Sequence, residues 1–218
     1  VMVNLTAKTI GLFSKKTKDR ILKESLLLFN EQTFNSTTTA SIAKSSEVLE
    51  GSLWYHFKFK KDLLFEHINL FELSFRKDLE NLKDGNKKNV IEKLLSIYGI
   101  VWDFRYIFRD SFESYEKDDK KVAESIKKTN DLLDNMVDDI LVYCCDIKIF
   151  EIDQTDLKEL SELILIIGKH WLDYSKKKYP SDSTDLLQKK GINLLIKVIY
   201  PYLTKDSKKI MDSIYAPV

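Results

Sequence analysis

Residues 37–63 read TTTASIAKSSEVLEGSLWYHFKFKKDL, two short helical runs on either side of a tight turn. Thr38 stands where a hydroxyl caps a helix start, and Ile42 and Ala43 give that helix an inner face. SEVLEG is turn-like. From Glu50 to Phe57 a second helix is expected, with Leu53 and Phe57 spaced i, i+4 and facing inward. Gly51, Ser52, Trp54, Tyr55 and His56 then fall on its other faces. Rings are costly to leave in water, so this flank needs a cover. Upstream, Leu22, Leu26 and Phe29 mark one face of a longer helix. Downstream of Lys60, Leu64, Ile68, Phe71, Phe75 and Leu79 mark the buried stripe of another. Two short helices joined by a tight turn and packed on longer ones form a helix-turn-helix unit. In such a unit the second helix enters the DNA major groove and the first braces it. DNA would cover the rings: apolar edges meet thymine methyls and sugars, and hydroxyl or imidazole N–H meets phosphate or base edges.

Charge distribution fits that reading. Net charge is only +1, but residues 1–61 hold ten Lys or Arg against five Asp or Glu. That is +5 there, which leaves −4 for the remainder. A basic head on a mildly acidic body is the asymmetry of a nucleic-acid-binding protein, although clustering in a lysine-rich chain gives the same numbers. With 6 Gly and 3 Pro in 218 residues, breakers are few, and an all-α fold is expected. No run of eighteen apolar residues and no signal-peptide pattern is present, so a cytoplasmic protein without membrane partners is expected. Three scattered histidines, no HExxH, no phosphate loop and no assembled Ser/His/Asp set argue against an enzyme, a metal site or a bound cofactor.

Residues 1–14 show no periodicity and are expected as a disordered or frayed arm. KDGNKK, residues 83–88, is the clearest boundary. Helical patterns follow at about 88–109, 118–146, 155–178 and 184–200, with a short tail helix near 207–214. Tyr98, Trp102, Phe104, Tyr106, Phe108, Phe112 and Tyr115 crowd the middle of the chain, and Trp171 and Tyr174 follow later. They read either as core or as the wall of a hydrophobic cavity. Arg105 and Arg109 lie i, i+4, placed for an anionic ligand or for local pairing with Asp103, Asp110 or Glu113. Cys144 and Cys145 read as small buried hydrophobes. The helices at 155–178 and 184–200 are each amphipathic, and Leu160, Ile164, Ile167, Leu195, Val198 and Ile199 are the candidates for a four-helix interface between two copies.

The ordered series Thr37, Thr38, Ile42-Ala43, Val48, Gly51-Ser52-Leu53, Trp54-Tyr55-His56-Phe57, Lys58, Lys60 and Leu63-Leu64 resembles the DNA-binding domain of the tetracycline-repressor (TetR/AcrR) family of bacterial regulators. The likeness is close over about residues 15–70. It implies an N-terminal three-helix helix-turn-helix domain, taken here as residues 1–60, and a C-terminal helical ligand-binding and dimerisation bundle, residues 61–218. It further implies a homodimer on a palindromic double-stranded DNA operator and a small, largely apolar effector in the body. Carried over by position, the DNA contacts are Thr38, Thr39, Lys44, Gly51, Ser52, Trp54, Tyr55, His56 and Lys60. The effector set is Tyr98, Trp102, Arg105, Phe108, Phe112, Trp171 and Tyr174. Four positions depart from the family pattern. Glu47 replaces a turn glycine and should carry backbone strain of about 1 kcal/mol. Leu49 replaces a capping Ser or Thr, also worth about 1 kcal/mol. Glu50 replaces a lysine, and Phe59 replaces a cap of the following helix. The main expectation is a ligand-responsive repressor; an activator of the same family, or a helical carrier of apolar molecules without DNA binding, are the alternatives.

Overall fold

The protein is described from a computed structural model covering residues 5–82, 85–113 and 119–215. The described chain is helical: α1 Ala7–Ile10, α2 Thr17–Glu31, α3 Thr39–Ser45, α4 Glu50–His56, α5 Lys60–Leu82, α6 Lys87–Asp103, α7 Tyr106–Arg109, α8 Lys120–Asp146, α9 Gln154–Lys178, α10 Thr184–Ile199 and α11 Lys205–Ile214. A 3-10 turn, Tyr200–Tyr202, holds Pro201. Among the described residues the extended pairing is an isolated antiparallel bridge between Phe150 and Leu203.

Two compact units make up the chain: residues 1–74 with 103–129, and residues 75–102 with 130–218. The expected division at residue 60 does not coincide with either unit. The part of α5 up to Ser74 belongs with the short helices, and Leu63, Leu64, Ile68 and Phe71 join Ile21, Leu26, Phe29, Ile42 and Leu53 in that unit's core.

In the first unit α3 begins and ends as its sequence dictates. Thr38 Oγ1 accepts from Ser41 N at 3.1 Å, capping α3. At the other end Val48 N donates to Ala43 O and Glu47 N to Lys44 O, a Schellman closure with Glu47 at φ 52°. Residues 5–14 do not run as a frayed arm. Leu5 and Thr9 are buried, α1 forms, and Thr6 donates to Asp103 through its N–H (3.0 Å) and hydroxyl (2.5 Å). Residues 1–4 of that expected arm lie outside the described residues. The helix expected over 88–109 is two helices. Asn30 takes over its hydrogen bonding at the break: its amide N donates to Asp103 O (2.6 Å) and its amide O accepts from Tyr106 N (3.2 Å).

The second unit packs α6, α8, α9, α10 and α11 with the end of α5. Asp153, Ser183 and Thr204 cap α9, α10 and α11 with their own side-chain oxygens. Gly191 is required by a close approach: a Cβ there would lie 2.5 Å from Tyr98 Oη and 2.6 Å from Trp171 Cδ1. Trp171 Nε1 donates to Leu187 O at 2.9 Å, joining α9 to α10.

Candidate nucleic-acid interface and effector cavity

Leu53 and Phe57 anchor α4 in the core at 0% and 3% exposure, which turns the rest of the helix outward. Tyr55 is 85% exposed and Trp54 41%. His56 is half-buried and its ring meets Tyr55 edge-on at 5.2 Å. Gly51 is exposed, has no positive φ, and a Cβ on it would meet no heavy atom within 4 Å. Nothing inside the protein therefore asks for glycine at that position. Ser52 is half-buried on the same helix, and Thr38 and Lys44 are exposed on α3 with Thr39 half-buried beside them.

Lys60 is placed differently from the other expected contacts. Its ammonium donates to Phe34 O (2.8 Å) and Thr37 O (3.0 Å) and lies 4.6 Å from the Phe34 ring centre. Burial pushes its pKa down. This lysine fastens the segment before α3 to the start of α5 rather than presenting its charge outward. Two of the departures from the family pattern also have physical consequences. Leu49 makes no side-chain cap and is 83% exposed, so an isobutyl group stands at the front of α4. Phe59 is 50% exposed, and Asp62 Oδ2 compensates for its missing cap by accepting from Phe59 N at 2.8 Å.

A buried polar network supports this surface, and no motif in the sequence announced it. His67, fully buried on α5, reaches Tyr106 Oη (2.8 Å) and Leu22 O (2.9 Å). Burial lowers its pKa from 6.5 to about 4, so the imidazole is neutral. Arg109 donates to Phe29 O, Asn30 O and Gln32 O and pairs with Asp110 at 2.7 Å, closing the carbonyl end of α2. Asp110 Oδ2 in turn accepts from Phe34 N. The local pairing weighed for Arg109 is thus the one it makes. The usable signal was spacing: His67 sits four residues from both Leu63 and Phe71, on the buried stripe.

The second unit holds a partly open apolar cavity of about 130 Å³. Its wall includes Leu94, Tyr98 and Val101 of α6, Ile140 of α8 and Leu195 of α10. Of the expected effector residues, Tyr98 lines it. Trp102 is buried 6.2 Å from the Tyr98 ring but is not part of the wall. Arg105, Phe108 and Phe112 belong to the first unit, where Phe108 meets Phe71 and Phe112 meets Phe34. Trp171 is spent on Leu187 and on the ring of Tyr174, which is 54% exposed. Tyr115 lies outside the described residues. The wall is mainly aliphatic because the aromatic cluster serves as core in the first unit. Of the expected interface set, Leu160 is buried, Ile164, Leu195 and Ile199 line the cavity, and Ile167 and Val198 are half-buried. The apolar residues that α9 does expose are Leu163, Ile166 and Tyr174. Cys144 is buried and its thiol is pushed up to about 12 by burial, which makes it inert.

A helix-turn-helix with an outward ring-bearing second helix, and a second helical unit with an apolar cavity, define the class: a helical protein with a helix-turn-helix head. Residues 21–67 match the family described as bacterial regulatory proteins, tetR family, and residues 74–210 match TetR, bacterial transcriptional repressor. The chain belongs to the TetR family of transcriptional regulators. It is 29% identical over 125 residues to the HTH-type transcriptional regulator QacR of Staphylococcus aureus, covering 56% of this chain and 65% of QacR. The probable regulator YttP of Bacillus subtilis matches at 29% over 94 residues, 43% of this chain and 45% of YttP. The chain thus spans less than two thirds of the length of these curated relatives. Its fold is that of a TetR-family regulator from Marinobacter aquaeolei VT8, with a TM-score of 0.73 at 22% identity, covering 91% of this chain and 97% of the other. These relatives are named as regulators, not enzymes. Among the described residues no helix is long and apolar enough to cross a membrane.

Proposed function

We propose that this protein is a cytoplasmic, ligand-released repressor that binds a palindromic operator as a homodimer. The observation that carries the reading is Tyr55, 85% exposed on a helix whose Leu53 and Phe57 fix its orientation. Beside it Gly51 leaves room that the protein itself does not use. Thr38, Thr39, Lys44, Ser52, Trp54 and His56 complete the contact surface, with Leu49 at its leading end.

Release follows from where α6 begins and ends. Leu94, Tyr98 and Val101 line the cavity, and the same helix ends at Asp103, which holds Thr6 and Asn30. An effector that displaces α6 is felt at the partners of Asp103. It acts only through a difference in affinity between the DNA-competent and released conformers, and near-complete switching needs about 10⁴-fold.

Binding to mixed-sequence DNA at low salt, followed through a salt titration, tests the reading. Affinity is expected to fall steeply with salt, and Tyr55→Ala is expected to weaken binding about tenfold or more with an unchanged circular-dichroism spectrum. Binding that ignores both salt and Tyr55 overturns it.

A further inference from the structure

The cavity surface is almost wholly apolar, and among the described residues the one charged side chain that contributes to it, with its hydrocarbon stem, is a lysine. Lys169 of α9 forms part of it, and no acidic side chain among the described residues does. The Lys169 ammonium is paired with Asp134 of α8. The two partners differ in burial: the Lys169 side chain is 16% exposed and that of Asp134 is 44% exposed. A mostly buried ammonium needs a counter-ion, because an unpaired charge away from water is costly. A carboxylate with nearly half its surface in solvent gives up its partner and regains water at little cost. The ion pair is therefore one-sided: Lys169 depends on a negative partner, and Asp134 is free to be replaced as that partner.

We infer that the cavity takes an apolar acid, whose hydrocarbon body fills the aliphatic wall and whose carboxylate displaces Asp134 from Lys169. The inference rests on the cavity being the effector site proposed above and adds the chemical class of the effector. The body is bounded by the volume. A cavity of about 130 Å³ is close to the roughly 150 Å³ apolar cavity that stays dry and accepts benzene, so about six to eight carbons fit without rearrangement. A lipophilic cation of the same size fits the volume but not the charge, since it meets Lys169 with no carboxylate in the wall to offset it. A neutral amide of the same length gains the apolar contacts and forgoes the charged one.

The test uses the full chain and three probes of equal length: octanoate, octanamide and octylammonium, each titrated by calorimetry at neutral pH. Octanoate is expected to bind about tenfold or more tighter than octanamide, the advantage of a charge-assisted hydrogen bond over a neutral one. Octylammonium is expected to bind weakest. Lys169→Met should bring octanoate to the octanamide affinity, while Lys169→Arg keeps the preference. Gly168→Leu, placed where a Cβ meets no atom within 4 Å on the cavity wall, should abolish binding of all three. If octanamide or octylammonium binds best and Gly168→Leu removes that binding, the cavity stands as a ligand site and the acid inference falls. Octanoate binding that survives Gly168→Leu also overturns it, since the ligand is then elsewhere. If none of the three binds the unaltered chain, the acid inference and the effector-site reading fall together.

Discussion

Glu47 and Lys148 hold backbone conformations that side chains disfavour, at φ 52° and 61°, and both sit just past a helix end. Each closes the same way: the N–H of the next residue reaches back to the carbonyl five residues earlier, Val48 to Ala43 and Ile149 to Cys144. That closure needs a left-handed residue, and the closure itself outweighs the strain of about 1 kcal/mol. The strain at Glu47 was legible because the turn chemistry demands it; Lys148 lacked a recognised pattern around it and was not. Glu47→Gly is expected to raise stability by at most about 0.5 kcal/mol, since glycine's extra freedom in the unfolded chain, about 0.5–1 kcal/mol, offsets most of the relief. A urea-denaturation midpoint that falls in this variant contradicts the account. His67 is the second residue-scale case. Its folded pKa of about 4 lies below the ordinary 6.5, and burial is the cause. The unfolded chain therefore binds the proton first. Its contribution is intact above about pH 6.5 and is lost as pH falls toward 4, on the order of 3 kcal/mol in all. Asp103, whose pKa burial raises, works in the opposite sense as pH falls, so the net slope is smaller. His67→Gln is expected to flatten the dependence of unfolding free energy on pH between 7 and 5. An unchanged slope would exclude His67 as its source.

At the scale of the element, periodicity marks helices well and breaks badly. The expected spans 155–178 and 184–200 differ from α9 and α10 by one residue at an end, since apolar spacing and polar caps agree there. The break at Phe104-Arg105 contains neither Gly nor Pro, and the apolar pattern runs through it. What interrupts the helix is Asn30, more than seventy residues earlier in the chain, which no local window contains. The same holds for α1, whose order depends on Thr6 meeting Asp103. Asn30 satisfies two backbone groups that would otherwise be buried without partners, Asp103 O and Tyr106 N. Asn30→Ala is thus expected to cost about 3 kcal/mol, from roughly 1–3 kcal/mol for each orphaned group. Chemical denaturation measures it, and a loss under about 1 kcal/mol would mean the helix break is held by packing alone.

At the scale of the whole molecule, apolar spacing identifies a buried stripe without saying what buries it. Leu160, Ile164, Leu195 and Ile199 were read as an interface between copies because a stripe that meets a partner and one that meets its own core look alike in sequence. In the structure Leu160 and Ile199 are buried and Ile164 and Leu195 are half-buried on the cavity wall, while another set stands further out. On α9, Leu163, Ile166, His170 and Tyr174 follow one another at spacings of 3, 4 and 4, which places them on a single exposed face. Leu163 and Ile166 are 45% and 55% exposed, large for aliphatic side chains on the middle of a 25-residue helix. In the proposed homodimer this face is expected to meet its symmetry mate, since a two-fold contact is made by one patch against itself. The dimer is also what operator binding requires, because two recognition helices must reach half-sites about 34–36 Å apart. Ile166→Glu puts like charges opposite one another across that axis while leaving the inward residues of α9 in place. It is expected to shift sedimentation from dimer to monomer at micromolar concentration. Affinity for a palindromic operator should fall with it, and the weaker salt-dependent binding to mixed-sequence DNA should persist, since a single head still carries Tyr55. A variant that stays dimeric would move the interface away from the exposed face of α9 and leave Leu163 and Ile166 without that role.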